Sequence, residues 1–136
     1  MELAEHLSAI AVALAALVAI LVGGRQFAET QRLTRETQAV ELLIKFNELS
    51  VNRDAEDEDR AFWTNNARLT ITESIHHLTV RNKSWEATVL WMLGTQTDFL
   101  TSRRLVCSTY SPSFMDILKQ SGIPFKCVEA ESSAGT

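Results

Sequence analysis

The run Leu7–Gly24, LSAIAVALAALVAILVGG, constrains this chain more than any other stretch. It holds 18 residues without a charge, and Ser8 is its one hydroxyl. A helix of that length is about 27 Å long against a hydrocarbon layer of about 30 Å, so it crosses with slight thinning of the bilayer or snorkelling at its ends. The expectation is a transmembrane anchor over 1–24, with the rest of the chain as a small domain held at a membrane surface. A buried core helix and a signal peptide cut near Gly24 are the competing readings.

The flanks choose among them. A secretory signal opens on basic residues, whereas this chain opens Met1-Glu2-Leu3-Ala4-Glu5-His6. The arginines lie behind the run, at Arg25, Arg32 and Arg35. Lys and Arg near a span favour the cytoplasmic side, and the rule counts them regardless of acids such as Glu29 and Glu36. This predicts an uncleaved single-pass anchor in the cell inner membrane, N-terminus outside and C-terminal domain in the cytoplasm. His6 reads as an interfacial polar residue, with ligation of a pigment or metal as the alternative.

The span has faces of its own. Ala11, Ala15, Ala19 and Gly23 recur at four-residue spacing and share one helix face. Small residues let two helices approach closely in lipid. The stripe is a candidate helix-packing interface with another membrane protein or a second copy of this chain. An alanine-rich span also produces such a stripe by chance.

From Arg25 to Ser50 there is no proline or glycine, so the helix is expected to run on, with Gly23-Gly24 as the expected site of any bend. Residues 25–38 read as a polar juxtamembrane helix, with Phe27 and Leu33 alone on its apolar side. At Ala39, Leu42, Leu43, Phe46 and Leu49 the steps of three and four demand a buried face. A helical bundle is therefore predicted over 39–124.

Asp54-Ala55-Glu56-Asp57-Glu58-Asp59 lacks the glycine and glutamate of a calcium loop and reads as an acidic first turn. The second helix is predicted over Arg60–Val80 with a core stripe Ala67, Ile71, Ile75 and Leu78. After a turn at Arg81-Asn82-Lys83-Ser84, capped by Ser84, a third helix is predicted from Trp85 to about Val106. Its apolar surface is Trp85, Val89, Met92, Phe99 and Leu100, with Gly94 as an interruption. Ser111-Pro112 starts a short helix that ends at Gly122, with Ile123 closing a hydrophobic contact. Residues 125–136 read as a flexible tail. No segment alternates like a strand. The fold class expected is all-α, an N-terminal transmembrane helix continuing into a small antiparallel helical bundle.

Chemistry is sparse. With 13 Lys and Arg against 17 Asp and Glu, net charge −4, and no basic run, nucleic acid is not an expected partner. Cys107 and Cys127 share no metal-ligand spacing and are expected as free thiols in a reducing compartment. Cys107, at the C-terminal end of the third helix, lacks the setting that activates a thiol. No Gly-x-Ser-x-Gly and no phosphate loop occurs. Glu73-x-x-His76 puts two ligands on one helix face, as in di-iron bundles, but those need a second such pair and two more glutamates. No cofactor and no catalytic residue is assigned. Trp63, Trp85 and Trp91 are candidates for core, pocket or interface, and Trp85 and Trp91 start on different faces.

The pieces LAALVAILVGGRQF, AVELLIKFNELS, LTITESIHHLTVRNKSWEATVLWMLG and SPSFMDILKQSGIP, in that order, resemble an uncharacterised bacterial family of small single-span membrane proteins with a cytoplasmic helical domain. The stretch after Gly94-Thr95-Gln96 is poorer in aromatics than that pattern. The resemblance implies architecture and location and no activity. The function expected is a non-enzymatic interaction, accessory or scaffold subunit at the lipid bilayer. The alternatives are a membrane-tethered sensor or regulator binding a small ligand, and a metal-dependent enzyme using Glu73 and His76.

Overall fold

A computed structural model describes residues 2–51, 57–80 and 82–128, with side chains from Val12 onward. The chain is all-α apart from one very small sheet. In order it forms α1 (Glu2–Val51), α2 (Glu58–Thr79), α3 (Lys83–Gly94), α4 (Thr97–Ser102), β1 (Arg104–Val106), a single 3-10 turn (Cys107–Thr109), α5 (Pro112–Gln120) and β2 (Lys126–Val128). It divides into two compact units, Met1–Arg35 and Glu36–Thr136.

In the first unit the chain is helical through Gly23 and Gly24. The side chains described there are exposed, among them Leu14, Leu17, Ile20 and Leu21. Its polar half satisfies its threonines locally. Thr30 Oγ1 donates to the Gln26 carbonyl and Thr34 Oγ1 to the Thr30 carbonyl, each at 2.9 Å.

The second unit has one core. The last part of α1 contributes Ala39 and Phe46, and Leu42 and Leu43 pack against them. Leu69 and Ile75 come from α2, Val89, Met92 and Leu93 from α3, Phe99 and Leu100 from α4, Leu105 from β1, and Phe114, Ile117 and Leu118 from α5. The caps follow from local sequence. Asp57 opens α2 by accepting from the Asp59 and Arg60 amides, with Glu58 and Asp59 in the first turn. That is the acidic start expected; Asp54 to Glu56 lie outside the described residues. Ser111 caps α5 by accepting from Phe114 N–H, with Pro112 in the first turn. Gly122 takes φ of +72°, the left-handed stop that glycine adopts without a Cβ penalty.

Five expectations need correction. The cap of α3 is Asn82, whose Oδ1 accepts from the Ser84 amide and hydroxyl, so Ser84 is the capped residue. The third helix stops at Gly94. Thr95 Oγ1 turns back to the Met92 carbonyl at 2.8 Å, and α4 is a separate short helix. On α2, Ala67 is exposed and the innermost face is Arg68, Leu69, Thr72, Ile75 and Thr79, with Ile71 and Leu78 only partly buried. The tail expected from 125 begins with an ordered strand. β2 pairs parallel with β1 in the register Arg104–Lys126, Leu105–Cys127 and Val106–Val128. The cysteines are not free. Cys107 and Cys127 form a disulfide with Cα atoms 5.4 Å apart, because the strand pairing brings the two chain ends of α5's loop side by side.

Candidate functional site

Three features of the structure are candidates for function. The first is the exposed apolar helix. Among the described residues one helix, near the N-terminus, is long and apolar enough to cross a membrane, and none of its apolar stretch is buried. Ala15, Ala19 and Gly23 are exposed on it, and a Cβ added at Gly23 would meet nothing within 4 Å. The Ala11 side chain and His6 lie outside the described side chains.

The second is a buried polar seam in the second unit. Arg68 is 1% exposed, yet it is a guanidinium inside a core. Its Nη1 donates to Asn65 Oδ1 at 3.0 Å and its Nη2 to Thr95 Oγ1 at 2.9 Å. The guanidinium carbon lies 4.5 Å from the Phe46 ring centroid, a cation–π contact in a desolvated place. Gln96, 2% exposed, continues the seam, its Nε2 donating to Thr72 Oγ1 and to the Met92 carbonyl at 3.2 Å each. Gln96 Oε1 has no hydrogen-bond partner among the described residues. Asn65, Thr95 and Gln96 face a cavity of about 340 Å³ whose walls include Phe62 and Phe99. Their rings stand 5.9 Å apart. An ion pair between Arg103 Nη2 and Glu58 Oε1 lies at the edge of this cavity.

The third is the junction around Glu73 and His76. Glu73 Oε1 accepts from the Ser111 amide at 2.7 Å and lies 3.8 Å from His77 Nε2. Its carboxylate thus fastens the entry to α5. The His76 ring packs on Phe114 with centroids 6.1 Å apart, and its buried Nε2 has no hydrogen-bond partner among the described residues. Burial lowers the His76 pKa below the ordinary 6.5, helped by the charge of His77, while Ser113, Glu73 and Glu86 pull the other way. Burial and the Glu73 charge raise the Tyr110 phenol above its ordinary value. Among the described residues no group of three or more His, Cys, Asp or Glu gathers where a metal ion could sit. Glu73 and His76 share one face of α2, as their spacing requires, and that face serves α5.

The tryptophans separate as their spacing suggested. Trp85 packs partly against the core, while Trp63 and Trp91 are 65% and 53% exposed. Trp91 leans on buried Phe46, ring centroids 6.2 Å apart. The buried seam was missed by sequence reasoning. Its signal was the α2 series Arg68, Thr72, Ile75, Thr79, a helical three–four spacing occupied mostly by polar residues.

No family model, no curated protein and no solved structure matches the chain, so any functional reading rests on its own residues.

Proposed function

We propose that this chain is a single-span membrane protein whose helical unit docks another protein as an accessory or scaffold subunit. The observation that carries this is the N-terminal apolar helix, whose described side chains are all exposed through its apolar stretch. An uncovered apolar surface of that length is stable in lipid and costly in water. Trp63 and Trp91 add exposed aromatic surface on the helical unit, the residue type that anchors protein contacts. The span's own contact face is the stripe Ala11, Ala15, Ala19 and Gly23, small residues of the kind that let helices approach closely in lipid.

The arginines at 25, 32 and 35 support a reading in which the helical unit lies on the cytoplasmic side of the inner membrane. The disulfide pulls the other way, because such bonds persist in oxidising compartments. The arginines take precedence because they act when the span inserts, whereas a disulfide forms and breaks with the surrounding redox poise. A reporter fused after Thr136 tests the placement. Activity only in the cytoplasm is expected, and activity outside it overturns the orientation. Replacing Ala15 and Ala19 together by Leu tests the span face. Loss of co-purifying membrane partners or of self-association is expected, and unchanged association removes that face from the reading.

A second reading, a tethered sensor for a small ligand, is favoured by Gln96, a buried amide with a vacant acceptor at the wall of a cavity. A polar donor-bearing compound that stabilises the wild type and not Phe62→Ala would support it. A screen of such compounds in which both proteins respond alike would remove it.

A further inference from the structure

We propose that the Cys107–Cys127 disulfide is a reversible latch, which dithiol reductants open to release the C-terminal segment 123–128 while the helical unit stays folded. The latch itself is independent of the partner reading. Only its resting state in the cell, open under reducing conditions, rests on the cytoplasmic placement.

Four observations converge on this. First, the strand pairing under the disulfide is too small to hold by itself. β1 and β2 have three residues each and run parallel, the weaker pairing per residue, and a lone two-stranded ribbon is marginal in water. Second, the register sets Arg104 opposite Lys126, so one of the three pairs opposes like charges. Third, β2 contributes little to the core. Lys126 and Cys127 are exposed, and the segment's apolar contacts are the partly buried Ile123 and Phe125. Fourth, α5, which lies within the loop that the disulfide closes, has anchors of its own. Phe114, Ile117 and Leu118 are buried, Ser111 caps the helix, and Glu73 holds the Ser111 amide. The bond is therefore the main tie on 123–128 and a minor one on α5.

Its sulfurs are reachable. Cys127 is exposed and Cys107 half-buried, and exposed disulfides are the reducible ones. A dithiol's thiolate attacks the Cys127 sulfur, and Cys107 leaves as a thiolate and takes a proton. The second thiol then displaces Cys127 from the mixed disulfide. The balance is one protein disulfide and one dithiol consumed, two protein thiols and one cyclic disulfide formed. Oxidised dithiol runs the reaction backwards.

The test uses the full chain in nanodiscs of phosphatidylethanolamine and phosphatidylglycerol, equilibrated across ratios of reduced to oxidised dithiothreitol. Thiol alkylation reads the bond, and amide hydrogen exchange reads the fold. On reduction, the amides of 125–128 are expected to exchange at least about tenfold faster, with α2 and α3 within about twofold of the oxidised form. The double variant Cys107→Ser, Cys127→Ser is expected to match the reduced chain at every ratio. Three results overturn the latch: reduction only upon unfolding, equal exchange of 125–128 in both forms, or collapse of α2 and α3 when the bond opens. Collapse, including a double variant that does not fold, would make the bond a structural staple. A reporter result placing the unit outside the cytoplasm would change the resting state alone and leave these readouts intact.

Discussion

At the scale of single residues, the second unit spends polar side chains where a helical bundle ordinarily has apolar ones. Arg68 is the clearest case. Its two forked donors hold Asn65 and Thr95, which joins the first half of α2 to the end of α3. Replacement by alanine leaves both acceptors short of a donor and opens a cavity against Phe46, so a loss of about 2–4 kcal/mol is expected. Urea denaturation measures it. Arg68→Lys is expected to recover only part, because an ammonium cannot span both acceptors in the same plane. This residue also explains a misreading. A stripe written in apolar letters predicts Ala67, Ile71, Ile75 and Leu78, whereas the buried face of α2 includes Arg68, Thr72 and Thr79. The threonines fit because each turns its hydroxyl back to a carbonyl four residues earlier, Arg68 for Thr72 and Ile75 for Thr79. Hydropathy cannot register that. His76 gives a pH signature of the same kind. Its pKa is lowered by burial, so the unfolded chain binds its proton first as pH falls below about 6.5. His76 therefore contributes full stability above that value and loses it on acidification. The melting temperature is expected to drop between pH 7 and pH 5.5, and His76→Gln is expected to flatten the drop. An equal slope in both proteins would remove His76 as its cause.

At the scale of elements, the helices were legible wherever a cap and an apolar face coincided. Ser111-Pro112 before α5 and Gly122 after it mark both ends in sequence, and the structure uses both. The ending of α3 was legible only in part, because Gly94 interrupts a good helical pattern without a proline behind it. The strands were illegible. Arg104-Leu105-Val106 and Lys126-Cys127-Val128 are shorter than any alternation can declare, and only their pairing identifies them. The two glycines make opposite expectations. Gly94 is a helical residue with open space where a Cβ would go, so Gly94→Ala is expected to stabilise by about 0.5–1 kcal/mol. Gly122 also has open space but φ of +72°, so Gly122→Ala is expected to cost about 1 kcal/mol through the backbone. Thermal unfolding of the two variants separates conformational strain from packing, since neither added methyl touches a neighbour.

At the scale of the whole molecule, the outcome turns on where the apolar surface of α1 goes. Leu17 and Val18 are each 58% exposed in the middle of the run, and Leu14, Ile20 and Leu21 are more so. A core helix in water has such residues covered, whereas the described side chains of this run are exposed. Lipid is the cover the composition fits, and the small residues Ala15, Ala19 and Gly23 make the same helix able to take a second helix as a neighbour. The energetics give a sharp test. An arginine near the centre of a span costs about 2.5–3.5 kcal/mol on insertion scales. Leu17→Arg with Val18→Arg puts two there, a penalty that a span of only 18 uncharged residues has little surplus to absorb. The wild-type chain is expected in the carbonate-resistant membrane fraction, and the double variant in the soluble or peripheral fraction. The helical unit's own core contains neither residue, so its hydrogen-exchange protection is expected to survive the change. A double variant that stays embedded, or a wild type that washes off, would mean the run is covered by protein rather than lipid. The proposed docking role would then have to be sought in whatever chain supplies that cover.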